Sequence, residues 1–292
     1  MINTNLKGGH KARLRLGAAL FFLVVISTPL QAEKASFSFD HSEWDQFLKK
    51  FVNEKGEVDY RSALKEKNLV EAYLEKLKPI PTDVFKEFPR EERLAIFINA
   101  YNAAVVKLIL DHYPLKSIMD IPGVWDQPAV QIATSSKTMI PDSYSLNGLQ
   151  NKLLRRVFRD EKIFFALSSG AKGSPPLRPE AYVGSRLEGQ LYLATRAFAN
   201  DEKRNQILPG QKKIVLSRLF KWYGDDFLLN WGNFPQESRW NPEEMAVLSF
   251  FAHYLEDPKK VEYLKEGQYK VKYDTFNWQL NDRSRQASLT KN

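Results

Sequence analysis

The sequence contains no cysteine in its 292 residues. Disulfide bonds therefore contribute nothing to its stability, and thiol catalysis and thiolate metal ligands are excluded. Histidine is also scarce: the chain has four, and none has the His-x-x-x-His or His-x-x-Glu-His spacing of a zinc site. We expect no metal bound through histidine or cysteine and no cofactor, while an ion site built from carboxylates alone stays open.

Long apolar runs are also lacking, except for one at the N-terminus, Leu16 to Ser27. Positive residues precede this run, Pro29 follows it, and Ala32 supplies a small residue at a cleavage position, which is typical of a signal peptide over residues 1–32. The run is shorter than the ~20 residues that span a bilayer, and no later segment is apolar enough to do so. We expect an exported protein whose signal peptide is cleaved after Ala32. It would be periplasmic in an organism with an outer membrane, and we expect no membrane span in the mature chain.

The positive charge of the chain is modest once that segment is removed. Residues 1–32 carry four positive and no negative side chains, so the formal charge falls from +8 to +4. Nucleic-acid binding is disfavoured, and a solvated helix face explains one basic cluster better than an anion site does. That basic cluster consists of Arg155, Arg156, Arg159 and Lys162. An anionic wall polymer or lipid head group stays open as a partner, and the expected partner is an unidentified envelope ligand or protein.

Composition and periodicity favour one helix-rich α+β domain with a small antiparallel or mixed β-sheet. The chain is 43% hydrophobic and 13% aromatic, which is ample for a large core. The domain is predicted over residues 40–282, after a short leader (33–39) and before a polar tail (283–292). Helices are predicted at about Arg90–Asp111, from Ser145, at Arg186–Asn200 and at Asn241–Tyr254; strands are predicted at Ala129–Ala133, Lys137–Ile140, Ile163–Leu167, Lys213–Leu216 and Tyr269–Tyr273.

Two amides interrupt the apolar stripe of the longest predicted helix. Asn102 lies four residues after Ile98 on the buried side, and Asn99 lies on the flank of the same stripe. A buried amide without hydrogen bonds costs about 1 to 3 kcal/mol, so we expect each amide to hold a neighbouring loop. The alternative is that both contribute to a binding site.

The segment Ser145 to Tyr182 has the shape of a site, because a helix and a strand lead into a loop rich in Gly, Ser and Pro. The loop offers Ser169 and Ser174 as nucleophiles, and Lys172 stands three residues after Ser169. A serine needs a neighbouring base to attack at neutral pH. Ser-x-x-Lys is typical of penicillin-binding enzymes, but no Lys-Thr-Gly follows and Gly170 disfavours the helix start that such an enzyme needs. A hydrogen-bonding loop without catalysis is therefore the preferred interpretation.

Several motifs together resemble the family catalogued as domain of unknown function 547. They are Gly56-Glu57-Val58-Asp59-Tyr60, Ile98-Asn99-Ala100-Tyr101-Asn102, Tyr113-Pro114, Ser145-Leu146-Asn147, Phe165-Ala166-Leu167, Pro175-Pro176-Leu177-Arg178, Glu180-Ala181-Tyr182, Phe220-Lys221-Trp222-Tyr223 and the segment Tyr273 to Asn281. Their order and spacing make the resemblance more specific than any single motif, and they extend over nearly the whole mature chain.

Five positions depart from the pattern that this resemblance implies. Typical relatives carry a Glu-His pair where this chain has Gln150 and Asn151, a His where it has Phe164, and a Cys at the positions of Ser169 and Ser174. A cysteine beside a histidine and an acid would suit nucleophilic catalysis. Here the charge and basicity needed for that chemistry are absent from all five positions.

We therefore expect an exported, non-catalytic binding or scaffold protein of the cell envelope that keeps the family fold with a degenerate site. The candidate binding residues are Asn99, Asn102, Gln150, Asn151 and Arg178. The alternative is a serine-dependent hydrolase or acyl transferase that acts on envelope amides or esters through Ser169 or Ser174, with Lys172 as a candidate base. A structural assembly subunit is a third possibility.

Overall fold

A computed structural model describes residues 38–134, 141–232 and 240–284. The predicted signal peptide lies outside these residues, and so does the predicted strand Lys137–Ile140. The described residues are 57% helical and include small sheets of two and three strands, which confirms the prediction of a helix-rich α+β domain. The described residues all fall within one compact unit.

Ten α-helices form the bulk of the described structure. They are α1 (Ser42–Phe51), α2 (Tyr60–Ala63), α3 (Lys67–Leu77), α4 (Thr82–Glu87), α5 (Arg90–His112), α6 (Leu187–Ala199), α7 (Arg218–Trp222), α8 (Leu228–Trp231), α9 (Pro242–Tyr254) and α10 (Pro258–Glu266). The predictions for α5, α6 and α9 agree with these bounds to within one residue. The bounds of α9 follow from local chemistry, because the Asn241 side chain accepts a hydrogen bond from the Glu244 amide and Pro242 occupies the first helical position.

The strands form two separate sheets in the described residues. Strands β1 (Pro128–Thr134) and β2 (Pro141–Ser145) pair antiparallel, and β1 contains the predicted first strand of a hairpin, Ala129–Ala133. The second sheet has the order β3 (Gln206–Leu208), β4 (Lys213–Leu216) and β5 (Lys270–Tyr273); β3 and β4 are antiparallel, and β4 and β5 are parallel. This sheet is therefore mixed, which is one of the two forms that the sequence predicted.

The predicted strand Ile163–Leu167 is wrong. Residues Glu161–Phe165 form a 3₁₀-helix, begun by the Asp160 side chain, which accepts a hydrogen bond from the Lys162 amide. A short apolar run fits a buried helical turn as well as a strand. Ile163 packs into the core cluster around α5 and Phe165 into the cluster around α9, so this turn bridges the two parts of the core. The preceding helix, Gly148–Phe158, is a π-helix.

The long helix α5 forms the centre of the larger core cluster. Acidic residues in its first turn and His112 in its last turn suit the helix dipole. By length and composition α5 could cross a membrane, which corrects the expectation that no segment after residue 32 is apolar enough. However, 83% of its most apolar 18-residue window is buried inside the protein, so the rest of the chain covers this apolar surface.

Two buried amides of α5 hold the segment that follows the 3₁₀-helix. Asn99 Nδ2 donates to the Tyr182 carbonyl at 2.7 Å, and the Tyr182 amide donates to Asn99 Oδ1 at 3.0 Å. Asn102 Nδ2 donates to the Ala166 carbonyl, and the Ser168 amide donates to Asn102 Oδ1, both at 2.9 Å. Each amide thus satisfies one backbone carbonyl and one backbone N–H in the interior, as the sequence predicted.

Replacing Asn102 by alanine should destabilise the protein by about 2 to 4 kcal/mol, because a buried carbonyl and a buried N–H both lose their partner. Chemical denaturation measures this change in the free energy of unfolding. The control is Gln211→Ala, at an exposed amide, with an expected change within about 0.5 kcal/mol. Equal, small changes in the two variants would show that Asn102 does not hold the segment.

Candidate functional site

The loop after the 3₁₀-helix is fixed by the C-terminal segment. The Lys172 amide donates to the Gln279 carbonyl at 2.8 Å, and the Gly173 amide donates to the Asn277 carbonyl at 2.9 Å. The Asn281 amide in turn donates to the Gly170 carbonyl at 2.9 Å. These backbone bonds place the loop from Ser169 to Ser174, which we call the serine loop, beside the C-terminal segment Asp274 to Asn281, more than a hundred positions further along the chain.

Two glycines make this close approach possible. Gly170 has φ +70°, in the left-handed region that side chains disfavour, and a Cβ there would lie 2.4 Å from Ile109 Cδ1. A Cβ on Gly173 would lie 2.7 Å from the Asn277 backbone nitrogen. The turn therefore requires both glycines for packing. No helix follows Ser169, so the helix start of a Ser-x-x-Lys enzyme is absent from this loop.

Aromatic side chains surround a cleft of about 270 Å³ next to this loop. We call it the aromatic cleft, and its seven aromatic lining residues are Tyr101, Trp125, Phe164, Trp222, Tyr223, Phe276 and Trp278. The remaining lining residues include Asn147, Gln150, Ser169 and Ser174. The π-helix, the serine loop, α7 and the C-terminal segment thus all contribute to one concave surface.

Four of these rings form a continuous aromatic wall. The Trp222 ring centroid lies 5.0 Å from that of Phe276 and 6.1 Å from that of Trp278. Phe276 and Trp278 are 4.4 Å apart, and Trp125 lies 5.8 Å from Trp278. Trp222 is 41% exposed, so the wall presents a large apolar ring to solvent.

Gln150 connects two tyrosines at the inner end of the cleft. The Tyr101 hydroxyl donates to Gln150 Oε1 at 3.2 Å, and Gln150 Nε2 donates to the Tyr223 hydroxyl. Burial raises the pKa of both tyrosines, so both hydroxyls are protonated at neutral pH. The Tyr223 hydroxyl accepts from Gln150, and its own proton remains available to an acceptor in the cleft.

Phe164 forms part of the cleft wall and does not fill the cleft. Its ring stacks on Tyr223 with a centroid distance of 4.0 Å and an interplanar angle of 4°. The Phe164 side chain is 5% exposed and lines the aromatic cleft, and it leaves the cleft volume of about 270 Å³ unoccupied. The cleft is therefore open to a ligand.

The predicted binding residues do not form one site. Gln150 lines the aromatic cleft, whereas Asn151 lines a neighbouring depression of about 610 Å³. Asn99 and Asn102 lie in the core, where their side-chain amides form hydrogen bonds with backbone groups. Arg178 forms an ion pair with Glu180 and lies over the Tyr182 ring, away from the aromatic cleft.

The two candidate nucleophiles lie in the cleft, but the candidate base does not. Ser174 Oγ donates to the Ala171 carbonyl at 2.7 Å, which explains its burial. Ser169 Oγ is buried and has no hydrogen-bond partner. Lys172 is exposed and lines a different groove, with its Nζ 3.5 Å from Gln279 Oε1. Among the cleft residues that the structure describes, none is a histidine, lysine, arginine or carboxylate.

The three histidines after residue 32 are all placed elsewhere. His41 Nδ1 lies 2.9 Å from the Tyr73 hydroxyl, and its Nε2 lies 3.4 Å from Glu92 Oε1 in the core. His112 lies 2.9 Å from the Leu108 carbonyl, and His253 packs against Trp231. Within residues 38–134, 141–232 and 240–284, no group of three or more His, Cys, Asp or Glu could hold a metal ion.

The predicted basic cluster is partly neutralised by carboxylates. Arg155 Nε donates to Asp226 at 2.9 Å, and its Nη2 donates to Asp225 at 2.7 Å. Lys162 Nζ lies 3.3 Å from Asp160. These pairs favour the solvated-face interpretation of the cluster over a free anion site.

The molecule is thus an α+β protein with an uncharged, aromatic-lined cleft at the end of its serine loop. Residues 85–199, which include α5, the hairpin, the π-helix, the serine loop and α6, match the family described as "Protein of unknown function, DUF547". This match supports the family assignment that the motifs predicted, over the matched residues. No curated protein and no solved structure matches the chain.

Four of the five departures from the family pattern line the same cleft. Gln150, Phe164, Ser169 and Ser174 all contribute to its surface, and Asn151 lines the adjacent depression. Sequence reasoning identified these positions and missed the aromatic wall. Phe276 and Trp278 are two residues apart in the sequence, and this period-two pattern, which puts both rings on one face of an extended chain, was the available signal.

Trp222 should be the tryptophan most accessible to a quencher among the described residues. Replacing Trp222 by phenylalanine should lower the fraction of emission that acrylamide quenches, because this ring is 41% exposed. The control is Trp44→Phe, which removes a fully buried indole and should raise that fraction. An unchanged quenchable fraction in Trp222→Phe would contradict an open cleft.

Proposed function

We propose that this chain is an exported, non-catalytic binding protein of the cell envelope that keeps the family fold and binds its ligand in the aromatic cleft. One observation supports this most directly: Ser169 and Ser174 lie in a cleft whose described lining contains no general base. A positioned base contributes about 10²- to 10⁴-fold to a rate, and an unassisted hydroxyl is a poor nucleophile.

The altered family positions support the same proposal. Typical relatives, as the resemblance implies, have Glu, His and Cys where Gln150, Phe164, Ser169 and Ser174 line the cleft. Gln150 is held by two tyrosines as a neutral hydrogen-bonding group, and Phe164 packs as part of the wall. The site is degenerate for catalysis and retains shape, apolar surface and hydrogen-bonding groups, which are the properties that binding needs.

Export and envelope location are inferred from the N-terminal pattern of residues 1–32. The absence of cysteine is compatible with an oxidising compartment, because no thiol is present to be oxidised or mispaired.

The second candidate function is a serine-dependent hydrolase or acyl transferase acting on envelope amides or esters. Ser169 Oγ favours it, because this hydroxyl has no hydrogen-bond partner and lies in the cleft. Such an enzyme would need a base from outside the residues that line the cleft.

A serine-reactive fluorophosphonate probe separates the two functions. We expect no stoichiometric labelling of the mature protein by intact mass, while chymotrypsin treated in parallel takes up one label per chain. Labelling of Ser169 or Ser174 that is lost in Lys172→Ala would overturn the binding proposal.

The Ser174→Ala variant provides a second readout on the same question. We expect it to lower the free energy of unfolding by about 0.5 to 1.5 kcal/mol, because the bond to the Ala171 carbonyl is lost. Loss of an ester or amide hydrolysis activity with unchanged thermal stability would instead support the hydrolase.

A further inference from the structure

We propose that the ligand of the aromatic cleft is a neutral sugar ring belonging to a glycan chain. The inference rests on the proposed binding function and adds the chemical class of the ligand.

The charges around the cleft favour a neutral ligand. No ionised side chain is among its described lining residues, so an anionic ligand would find no opposite charge. A cationic ligand would lie close to the positive charge of Arg155, whose guanidinium is 5.7 Å from the centroid of the Tyr223 ring. Arg155 is itself paired with Asp225 and Asp226, so these carboxylates are already engaged.

The polar groups of the cleft disfavour a purely hydrocarbon ligand. Ser169 Oγ has no partner, and the Tyr223 hydroxyl proton has no acceptor among the hydrogen bonds of the cleft. A hydrocarbon would leave Ser169 Oγ without the partner that it lacks in the protein, and it would deprive the Tyr223 hydroxyl of water at a cost of about 1 to 3 kcal/mol. The ligand therefore needs hydroxyl or ether oxygens at its edge.

The aromatic wall requires an apolar face on the same ligand. Neighbouring rings of the wall are inclined to each other by 33° to 56°, so a flat ligand face can stack on one ring at a time. A pyranose ring has C–H groups on its face and hydroxyls around its edge. It would place the C–H face on the indole of Trp222 and direct its edge to Ser169 and Tyr223.

The surroundings of the cleft fit a ligand that is longer than one ring. The cleft volume of about 270 Å³ lies just below the roughly 300 to 1,000 Å³ of small-molecule sites, which suits a single sugar unit. Ser174, Pro175 and Phe276 also line a groove of about 570 Å³, and Phe276 and Trp278 border a depression of about 660 Å³. A glycan chain could therefore continue beyond the aromatic wall on either side.

The test is calorimetric titration of the mature protein with three neutral tetrasaccharides: chitotetraose, cellotetraose and maltotetraose. Tetragalacturonate serves as the anionic probe and N-phenyl-1-naphthylamine as the neutral apolar probe. We expect at least one neutral tetrasaccharide to bind, with tryptophan emission changing on binding, and to bind more tightly than tetragalacturonate.

Three variants locate the binding. Trp222→Ala should weaken tetrasaccharide binding at least tenfold, and Ser169→Ala should weaken it severalfold without lowering thermal stability, because Ser169 Oγ bonds nothing in the protein. The matched control is Tyr192→Ala on α6, where the ring is 42% exposed and is not among the cleft lining residues, and it should leave binding unchanged. If Trp222→Ala does not fold, Trp222→Phe and Ser169→Ala still decide the question.

The negative outcomes distinguish the two proposals. Binding of phenylnaphthylamine alone, reduced in the Trp222 variant, would overturn the glycan inference and leave the binding function standing. If tetragalacturonate binds more tightly than every neutral sugar, the inference that the ligand is neutral is overturned. Absence of binding for all five probes would overturn the glycan inference, and equal weakening by the Tyr192 and Trp222 variants would overturn the location.

Discussion

Two reciprocal amide pairs from α5 hold the serine loop and its continuation against the core. Asn99 satisfies both backbone groups of Tyr182, and Asn102 satisfies the Ala166 carbonyl and the Ser168 amide. These backbone groups lie in an apolar interior where water cannot reach them, so the irregular segment is stable there only with these partners. Because the segment carries Ser169 and Ser174 to the cleft, the geometry of the candidate site depends on side chains that never touch a ligand.

This chain keeps the residues that position the loop and lacks the catalytic residue types that the family resemblance implies. The helix, the glycines and the buried amides that position the loop are present, and the loop is completed by backbone bonds to the C-terminal segment. At the positions where the resemblance implies Glu, His and Cys, the chain has two amides, a phenyl ring and two hydroxyls. What remains at the cleft is apolar ring surface beside neutral hydrogen-bonding groups, a combination that serves recognition better than bond cleavage.

Local signals predicted much of the fold. Periodicity and end signals sufficed for α5 and α9, and β4 was predicted at its observed bounds. The 3₁₀-helix at Glu161–Phe165 was missed because five apolar-rich residues fit either a turn or a strand. Gln150, Ser169 and Ser174 were identified as site residues, but the aromatic wall was not. Its assembly depends on pairing between the serine loop and residues near the C-terminus, and no local pattern records that pairing.

The most direct test of this account is a crystal structure of the mature protein grown with a neutral tetrasaccharide. The account predicts a sugar ring against the Trp222 indole, a sugar hydroxyl within hydrogen-bond distance of Ser169 Oγ, and no histidine, lysine or carboxylate beside that serine. A ligand bound away from the aromatic cleft, or a basic side chain moved into contact with Ser169, would contradict it.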